Sequence, residues 1–242
     1  MHIIEKYFWI FCTFLVPLLY LVVATAFYVV FYSWKAEKYK DIKIQPAGIT
    51  YPQFRRELTY SVISLMIFTV MGFGVFLIHH SGYSNVYFDI SKYGIVYLFL
   101  SVVLMILFHD VYFYWTHRLL HQPGWYRKVH AVHHLSRNPS PFTSLSFHPV
   151  EGAIQAAVLP LMVIVIPSHP FALFLFLLYM VYKNVQGHAG FAFNTSAYRP
   201  GELNLLHTSS IHHNAHHKHG RGNYGLYLTI WDRIMKTLRK EV

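Results

Sequence analysis

Three long runs of apolar residues alternate with short polar segments in the first half of the chain. They extend over about residues 7–31, 58–78 and 93–115, and the first carries no charge after Lys6. Each run is long enough to cross about 30 Å of hydrocarbon as a helix. The pattern therefore predicts three membrane-spanning helices. A signal peptide is the alternative for the first run, but the run is long and no small-residue cleavage site follows it.

A fourth apolar stretch, at about residues 153–182, is interrupted by Pro167-Ser168-His169-Pro170. As one span, it would put the histidine-rich regions that flank it on opposite sides of the membrane. As two helices around this turn, it returns the chain to the side from which it came. We predict the second arrangement, a re-entrant or strongly tilted hairpin, since each arm has only about 14 residues.

The distribution of basic residues gives the orientation, because cytosolic loops carry an excess of Lys and Arg. The polar segment 33–57 contains six such residues, whereas segment 81–92 contains only Lys92. Segment 33–57 is therefore predicted to be cytosolic, and the third span is predicted to end in the cytosol. Basic residues in segment 117–152 and in the carboxyl-terminal tail agree with the hairpin.

Composition supports a membrane protein and argues against a nucleic-acid partner. Hydrophobic residues make up 55% of the 242 residues and charged residues only 12%, about half the share of a soluble domain. The net charge of +10 comes from short loops rather than from a Lys/Arg-rich block of the kind that binds nucleic acid. Cys12 is the only cysteine, which excludes an intrachain disulfide and a thiolate metal site.

Histidine is unusually abundant, with 18 residues against 10 Asp and Glu. Three clusters have the spacing i, i+3 or i, i+4, which places the side chains on one face of a helix. Neutral imidazole is a ligand that suits iron, zinc and copper, so the clusters predict a site for two metals. They contain His117, His121, His130, His133, His134, His213, His216 and His217, with His212 directly before the last cluster.

A single cluster of this kind is compatible with histidines that face lipid headgroups or solvent, but three clusters favour a metal site. The Glu and Glu-x-x-His ligands of soluble di-iron bundles have no counterpart here, and no HExxH motif of a zinc protease is present. The few nearby acids fit better as hydrogen-bond partners of the imidazole N–H groups. These acids are Asp110, Glu151, Glu202 and Asp232.

Three segments carry a family resemblance. HDVYFYWTHRLLH at residues 109–121 resembles the first histidine box of the membrane fatty acid hydroxylase/sterol desaturase superfamily. SPFTSLSFHPVEG at residues 140–152 closely resembles the stretch after the second box in sterol C5-desaturases. NYG at 223–225 and WDR at 231–233 resemble the family's ending after its last HxxHH. The resemblance extends over about residues 105–236, more than half of the chain.

The resemblance implies a non-haem di-iron centre that activates O2 and oxidises a C–H bond of a lipid, by hydroxylation or desaturation. A sterol-like or long-chain lipid is the expected substrate. The eight clustered histidines are implied as metal ligands, together with His188 in the sequence GHAG. His212 is an alternative to His213. Further candidates, as ligands or as partners of ligands, are His109, Asp110, His148, Glu151, His207, His212 and Asp232.

The expected partners are the membrane, the lipid and an external electron donor. The chain lacks a dinucleotide fingerprint, a flavin signature and a Cys-x-x-Cys-His haem site, so a ferredoxin or cytochrome b5 with its reductase would supply the electrons. Two iron ions are the expected cofactor and O2 the co-substrate. Zinc can replace ferrous iron at such ligands. The expected location is a bacterial inner membrane or the endoplasmic reticulum, with the metals on the cytosolic side.

Two other functions remain as alternatives. A zinc-dependent membrane lipid hydrolase would need one metal with three protein ligands, fewer than the eight or nine imidazoles present. A metal transporter or metal-binding membrane protein would place its ligands within the spans, whereas these clusters lie at or beyond span ends.

The predicted fold is an all-α integral membrane protein with about four membrane-embedded helical segments, three spans and the split hairpin, and a cytosolic helical cap that carries the histidines. The predicted division is a transmembrane anchor region at residues 1–104, a catalytic domain at 105–236 and a basic tail at 237–242.

Overall fold

The computed structural model describes residues 3–193 and 206–239, and it is helical almost throughout. Over these two ranges there is no β-strand, only three isolated bridges. The all-α fold is therefore confirmed. The helices of eight or more residues are α1 Phe8–Tyr28, α2 Tyr51–His80, α3 Gly94–Leu120, α4 Pro149–Ala156, α5 Val158–Val165, α6 Pro170–His188 and α7 Ser210–His219.

Short helical turns connect these helices. One of them, Val29–Trp34, continues α1 as a π-helix. A second π-helical turn, Tyr126–His130, leads directly into the helical turn Ala131–His134. The remaining turns are Ile3–Lys6, Ala36–Tyr39, Lys40–Ile42, Ile90–Lys92, Pro123–Trp125, Pro141–Leu145 and Ile230–Ile234.

Three helices are long and apolar enough to cross a membrane, as the hydrophobic pattern predicted. They extend over Phe8–Trp34, Tyr51–His80 and Gly94–Leu120. The second begins earlier than its apolar run because Thr50 accepts a hydrogen bond from the backbone N–H of Gln53, which caps the helix end. Many large apolar side chains on these helices are exposed on the protein, as expected for surfaces that face lipid.

The fourth apolar stretch forms a hairpin. Its turn hydrogen-bonds through the backbone of Ser168 to Asn85 and Tyr87, in the connection between α2 and α3. At the other end of the hairpin, Glu151 of α4 and His188 of α6 each contact a clustered histidine. Both arms therefore run from the histidine clusters to the opposite ends of the spans.

The hairpin arms are longer than the predicted 14 residues. Helix α6 has 19 residues, because the polar stretch after Tyr182 stays helical up to His188. The first arm occupies residues 149–165, split at Ala157 into α4 and α5. Apolarity alone underestimated the arms, since the ends that approach the histidine clusters are polar.

Helices α1 and α2 pack closely at Gly72. A Cβ atom at this position would overlap the backbone carbonyl of Cys12 on α1. Glycine therefore lets the two backbones touch, as small residues do at many contacts between membrane helices. Gly74, two residues further along α2, has no such neighbour within 4 Å.

We expect Gly72→Ala to destabilise the protein by about 1–3 kcal/mol, because the added methyl group forces the helices apart. For a chain of this size, the thermal midpoint should fall by several degrees. Thermal unfolding of the purified protein in detergent measures the change. Gly74→Ala is the matched control and should leave the midpoint unchanged or slightly raised. Equal midpoints for both variants would contradict the close approach at Gly72.

Candidate metal centre

The nine histidines predicted as metal ligands come together in two groups, buried except for the half-buried His121. Within each group the ring nitrogens that can bind a metal all lie within 4.8 Å of one another. The five-histidine group consists of His117, His121, His130, His134 and His216. The four-histidine group consists of His133, His188, His213 and His217.

The first two clusters reach the groups from two connected elements. Helix α3 contributes His117, and His121 follows at its carboxyl-terminal end. In the second cluster, His130 and His134 are one turn apart and join the five-histidine group, whereas His133 joins the other group. Adjacent side chains of a helix point about 100° apart. An HxxHH sequence can therefore supply ligands to two neighbouring metals at once.

The last cluster contributes mainly to the four-histidine group, whereas the second contributes mainly to the five-histidine group. His213 and His217 are one turn apart on α7 and join the four-histidine group, while His216 joins the five-histidine group. His188, at the end of α6, completes the four-histidine group. The two HxxHH sequences are thus shared between the same two sites.

Hydrogen bonds fix the orientation of three rings in the five-histidine group. Nδ1 of His117 is 2.9 Å from the carbonyl oxygen of Tyr224, and Nδ1 of His216 is 2.6 Å from that of Gly222. Since these carbonyls accept hydrogen bonds, both Nδ1 atoms carry the proton and both Nε2 atoms have a free lone pair. Nδ1 of His130 lies 2.8 Å from a carboxylate oxygen of buried Glu151.

The Nε2 atoms then point at each other. His121 Nε2 and His216 Nε2 are 3.2 Å apart, and His130 Nε2 and His134 Nε2 are 3.1 Å apart. Two nitrogens bound to one ion at about 2.1 Å are separated by about 3.0–3.4 Å for angles between about 90° and 110°. The spacing in the five-histidine group is that of nitrogens around a common metal.

The four-histidine group has the same construction. Nδ1 of His188 is 2.7 Å from the carbonyl oxygen of Asn184, so its Nε2 has the free lone pair. That Nε2 lies 2.8 Å from His213 Nε2 and 3.3 Å from His133 Nε2. Both ring nitrogens of buried His217 have no protein partner among the described residues. A buried polar atom without a partner is costly, and a bound cation would satisfy one of the two.

The protonation state also fits metal binding. Burial lowers the pKa of the His133, His213 and His217 imidazoles well below the usual value. In the five-histidine group, burial lowers the pKa of His134 to about 3. The rings are therefore neutral at physiological pH, which is the form that binds a metal. Each group thus fits one metal ion held by imidazole alone.

The adjacent histidines His212 and His213 differ in their contacts. His212 Nδ1 lies 2.8 Å from the hydroxyl oxygen of Ser209 at the amino-terminal end of α7, and it takes part in a reciprocal capping box there. His213 faces the other way and contacts His188. Of the two alternatives from the sequence, His213 is the one that joins the metal-binding groups.

The acidic candidates differ in how close they lie to the histidine groups. Glu151 contacts a clustered histidine directly. Asp110 accepts hydrogen bonds from the backbone N–H groups of Tyr227 and Leu228. Asp232 accepts from the backbone N–H groups of Tyr224 and Gly225 and from the hydroxyl of Thr237. Where the structure describes the chain, neither aspartate has a hydrogen bond to an imidazole. Both aspartates bind the segment whose carbonyls orient His117 and His216. Glu202 lies outside the described residues.

The three remaining histidine candidates lie outside both groups. His109 is buried and its Nδ1 is 2.8 Å from the hydroxyl of Tyr227. His148 accepts a hydrogen bond from the backbone N–H of Val150 at the start of α4. His207 is exposed. His109 and His148 therefore have structural hydrogen-bond partners and lie apart from the ring nitrogens of the two groups.

Sequence reasoning did not identify the carbonyl partners at Asn184, Gly222 and Tyr224 or the role of Glu57. Backbone carbonyls leave no signal in the residue type. Glu57 could have been noticed, because it is the one acid inside the predicted second span or at its edge, and intramembrane acids are commonly functional.

Glu57 anchors the connection that follows the second histidine cluster. Its buried carboxylate accepts hydrogen bonds from Gln53 Nε2 at 2.8 Å, from Ser136 Oγ at 2.7 Å and from Ser140 Oγ. The next turn of α2 continues the contact, since Ser61 donates to the carbonyl of Phe142. The carboxylate thereby fastens the segment after His134 to the second span.

We expect Glu57→Gln to destabilise the protein by about 1–3 kcal/mol, because the amide turns one buried acceptor into a donor that faces a serine hydroxyl. The thermal midpoint in detergent should fall by several degrees. Glu37→Gln is the control, because Glu37 is exposed and pairs only with Lys40. A midpoint unchanged by Glu57→Gln would show that this network does not anchor the loop.

Comparison with known proteins places the chain in a family. The family model for fatty acid hydroxylases matches residues 102–237. Human lathosterol oxidase is 33% identical over 196 residues, which cover 78% of this chain and 64% of the relative. The mouse lathosterol oxidase is 36% identical over 185 residues, 75% of this chain and 60% of the relative. A Delta(7)-sterol 5(6)-desaturase of Gibberella zeae is 32% identical over 187 residues, 74% of this chain and 54% of the relative.

The chain thus spans a little under two thirds of the length of these lathosterol oxidases. No solved structure matches it.

Proposed function

The chain belongs to the fatty acid hydroxylase family, and from this premise we propose that it is a membrane-bound non-haem di-iron oxidase that hydroxylates or desaturates a lipid. The observation that carries this proposal is the pair of buried groups of neutral imidazoles beside the membrane-spanning helices. The oxidase would use O2 and electrons from an external donor.

The metal ligands in this proposal are the nine histidines of the two groups. Bound iron would supply the redox chemistry, the reduction of O2 and the removal of hydrogen from the lipid. The chain itself would hold the ions through ring nitrogens. It sets the tautomer of four rings through Glu151 and three backbone carbonyls, which leaves Nε2 of those rings for the metal. Burial of the rings keeps bulk water away from the reacting atoms.

We propose a sterol-like or long-chain lipid as the substrate. Two of the relatives are named lathosterol oxidase and Delta(7)-sterol 5(6)-desaturase. Both histidine groups lie at the ends of apolar helices, where a lipid can approach from the bilayer. The distribution of Lys and Arg supports a cytosolic position for this end of the spans. The membrane would be a bacterial inner membrane or the endoplasmic reticulum.

The electron donor would dock on exposed basic residues next to the ligands. Arg127 and Lys128 precede His130, and Lys218 follows His217; all three basic side chains are exposed. A positive surface of this kind suits an acidic ferredoxin or cytochrome b5. If the purified protein oxidised lipid with NADPH alone, the external donor would be excluded.

The arrangement argues against the two alternative functions. A zinc hydrolase site has three protein ligands and an activated water, but each group here offers at least four imidazoles. A transporter has ligands near the middle of its spans, whereas His117 and His188 lie in the last turns of their helices. Zinc found in a preparation would not exclude iron as the working metal.

The test is lipid oxidation by the full chain. Iron-loaded protein in lipid vesicles would be given lathosterol, O2 and a ferredoxin or cytochrome b5 system with its reductase, and the products analysed by mass spectrometry. We expect a hydroxylated or newly unsaturated lipid that is absent without O2 and with His133→Ala. Absence of any oxidised lipid, from lathosterol or from the vesicles, at full iron occupancy would refute the proposal.

A further inference from the structure

A polar cavity lies beside the four-histidine group, between the end of α6 and the start of α7. Its volume is about 110 Å³, the space of roughly three to four water molecules. Apart from Phe193, the residues that line it are polar. They are Lys183, Gln186, His207, Thr208, Ser209 and Ser210.

This cavity leads towards the metal-binding histidines. A second, smaller cavity shares Lys183, Gln186, Thr208 and the two serines with it, and it is also lined by His188 and His213 of the four-histidine group. The second cavity has a volume of only about 10 Å³, so the two cavities adjoin through shared walls, and the smaller one separates the larger from the four-histidine group.

Lys183 brings a positive charge to this space. Over residues 3–193 and 206–239, its Nζ atom donates to two neutral oxygens, Gln186 Oε1 at 3.0 Å and the backbone carbonyl of Thr208 at 3.5 Å. Among the described residues, neither cavity is lined by an aspartate or a glutamate, and no ion pair includes Lys183. A partly buried ammonium group without a counter-ion is a ready partner for an acceptor oxygen.

Thr208 offers a second unused group. Its side chain is only 8% exposed, and its hydroxyl oxygen has no hydrogen-bond partner in the described parts of the chain. Thr208 lines both cavities. A buried hydroxyl without a partner is unusual. This oxygen is closed to a water molecule, so a ligand reaches it only when the residues around it move apart, whereas Lys183 is partly exposed.

We propose that Lys183 and Thr208 bind the polar end of the lipid substrate, through a hydroxyl or carboxylate oxygen that accepts their hydrogen bonds. This inference rests on the proposed function, in which the substrate is a lipid. Binding there brings the carbons next to that oxygen closest to the four-histidine group. The subsite selects lipids that carry an oxygen at one end, and it orients them for oxidation near that end.

A purely structural role for Lys183 is the competing explanation. The ammonium group lies in the last two turns of α6, where a cation stabilises the helix carboxyl terminus. In that case, its loss would weaken the fold and the binding of every lipid alike. A comparison of lipids that differ only in the terminal oxygen separates the two roles.

The experiment is equilibrium binding of matched lipid pairs to the purified full chain in detergent. One pair is lathosterol and its 3-deoxy analogue, cholest-7-ene; the other is stearate and octadecane. Each is bound to the wild type and to Lys183→Met, Lys183→Arg, Thr208→Val and Lys92→Met. Lys92 is exposed near the opposite ends of the spans and serves as the control. Metal content is measured on every sample.

We expect the wild type to bind the oxygen-bearing member of one pair about tenfold or more tightly than its partner. Lys183→Met should abolish this preference with metal content unchanged, Lys183→Arg and Thr208→Val should retain part of it, and Lys92→Met all of it. The pair that shows the preference identifies a sterol hydroxyl or an acyl carboxylate as the ligand.

Two results would overturn the proposal. One is a wild type with no preference in either pair. The other is a preference that Lys183→Met leaves intact or removes only together with metal and with the binding of both lipids. Because binding needs neither O2 nor turnover, a preference that depends on Lys183 in a protein that oxidises no lipid would refute the proposed function and leave the subsite standing.

Discussion

His213→Ala is expected to reduce the metal content from two ions per chain to one, whereas His212→Ala should leave both ions bound. His213 supplies one of only four imidazoles in its group, and its Nε2 is 2.8 Å from that of His188. The loss of a direct ligand should lower the affinity of this group by more than the 10- to 100-fold typical for an outer hydrogen-bond partner.

His212→Ala is the matched control, since it removes the neighbouring imidazole from the same helix. The structure assigns that ring to the capping box with Ser209, so its loss should cost about 1 kcal/mol of stability without loss of metal. Elemental analysis after gel filtration gives the metal content of both variants. One ion in His212→Ala together with two in His213→Ala would reverse the assignment.

Glu151→Gln is expected to weaken metal binding by the five-histidine group about 10- to 100-fold. The Glu151 carboxylate is 1% exposed and lies 2.8 Å from Nδ1 of His130. A cation bound at Nε2 favours the ionised form of this buried carboxyl, and its negative charge then holds the proton on Nδ1 and makes Nε2 a better donor to the cation. An amide can keep the hydrogen bond but not the charge. Over the described parts of the chain, the rings of the four-histidine group hydrogen-bond to Asn184 and to each other and not to Glu151, so this group should keep its affinity.

Titration of the apoprotein with metal in competition with a chelator measures the two affinities separately. Glu57→Gln provides the contrast, because that carboxylate binds serines and no histidine. It should lower the thermal midpoint without a comparable loss of affinity. Two unchanged affinities in Glu151→Gln would show that the carboxylate does not tune the metal site.

Much of this arrangement could be predicted from the sequence, because the periodicity of a helix determines which residues share a face. The i, i+3 and i, i+4 spacing is enough to place His117 near His121, and His130 near His134, on one helix face. The apolar runs predicted the three spans, and Pro167 to Pro170 predicted the turn of the hairpin. His188 was found only by resemblance, because a lone histidine after a polar helix end has no periodic signal.

Other parts depend on tertiary contacts that the sequence does not encode locally. The choice between His212 and His213 required the contact of His213 with His188, which lies on another helix. Asp110 and Asp232 were predicted as partners of imidazole, but they bind backbone N–H groups one step further from the rings. The tautomer of His117 depends on the carbonyl of Tyr224, which is distant in the sequence, and that of His216 depends on the carbonyl of Gly222, 6 residues away. The residue types give no indication of either contact.

The central claim is that the two histidine groups hold two irons that act with O2 on a lipid. The most direct test measures iron per chain and O2-dependent lipid oxidation on the same iron-loaded sample, reconstituted in lipid with an electron donor. The account predicts close to two irons per chain and an oxidised lipid whose yield falls with each iron removed. One metal per chain at saturation, or two irons with no oxidation of any lipid, would contradict it.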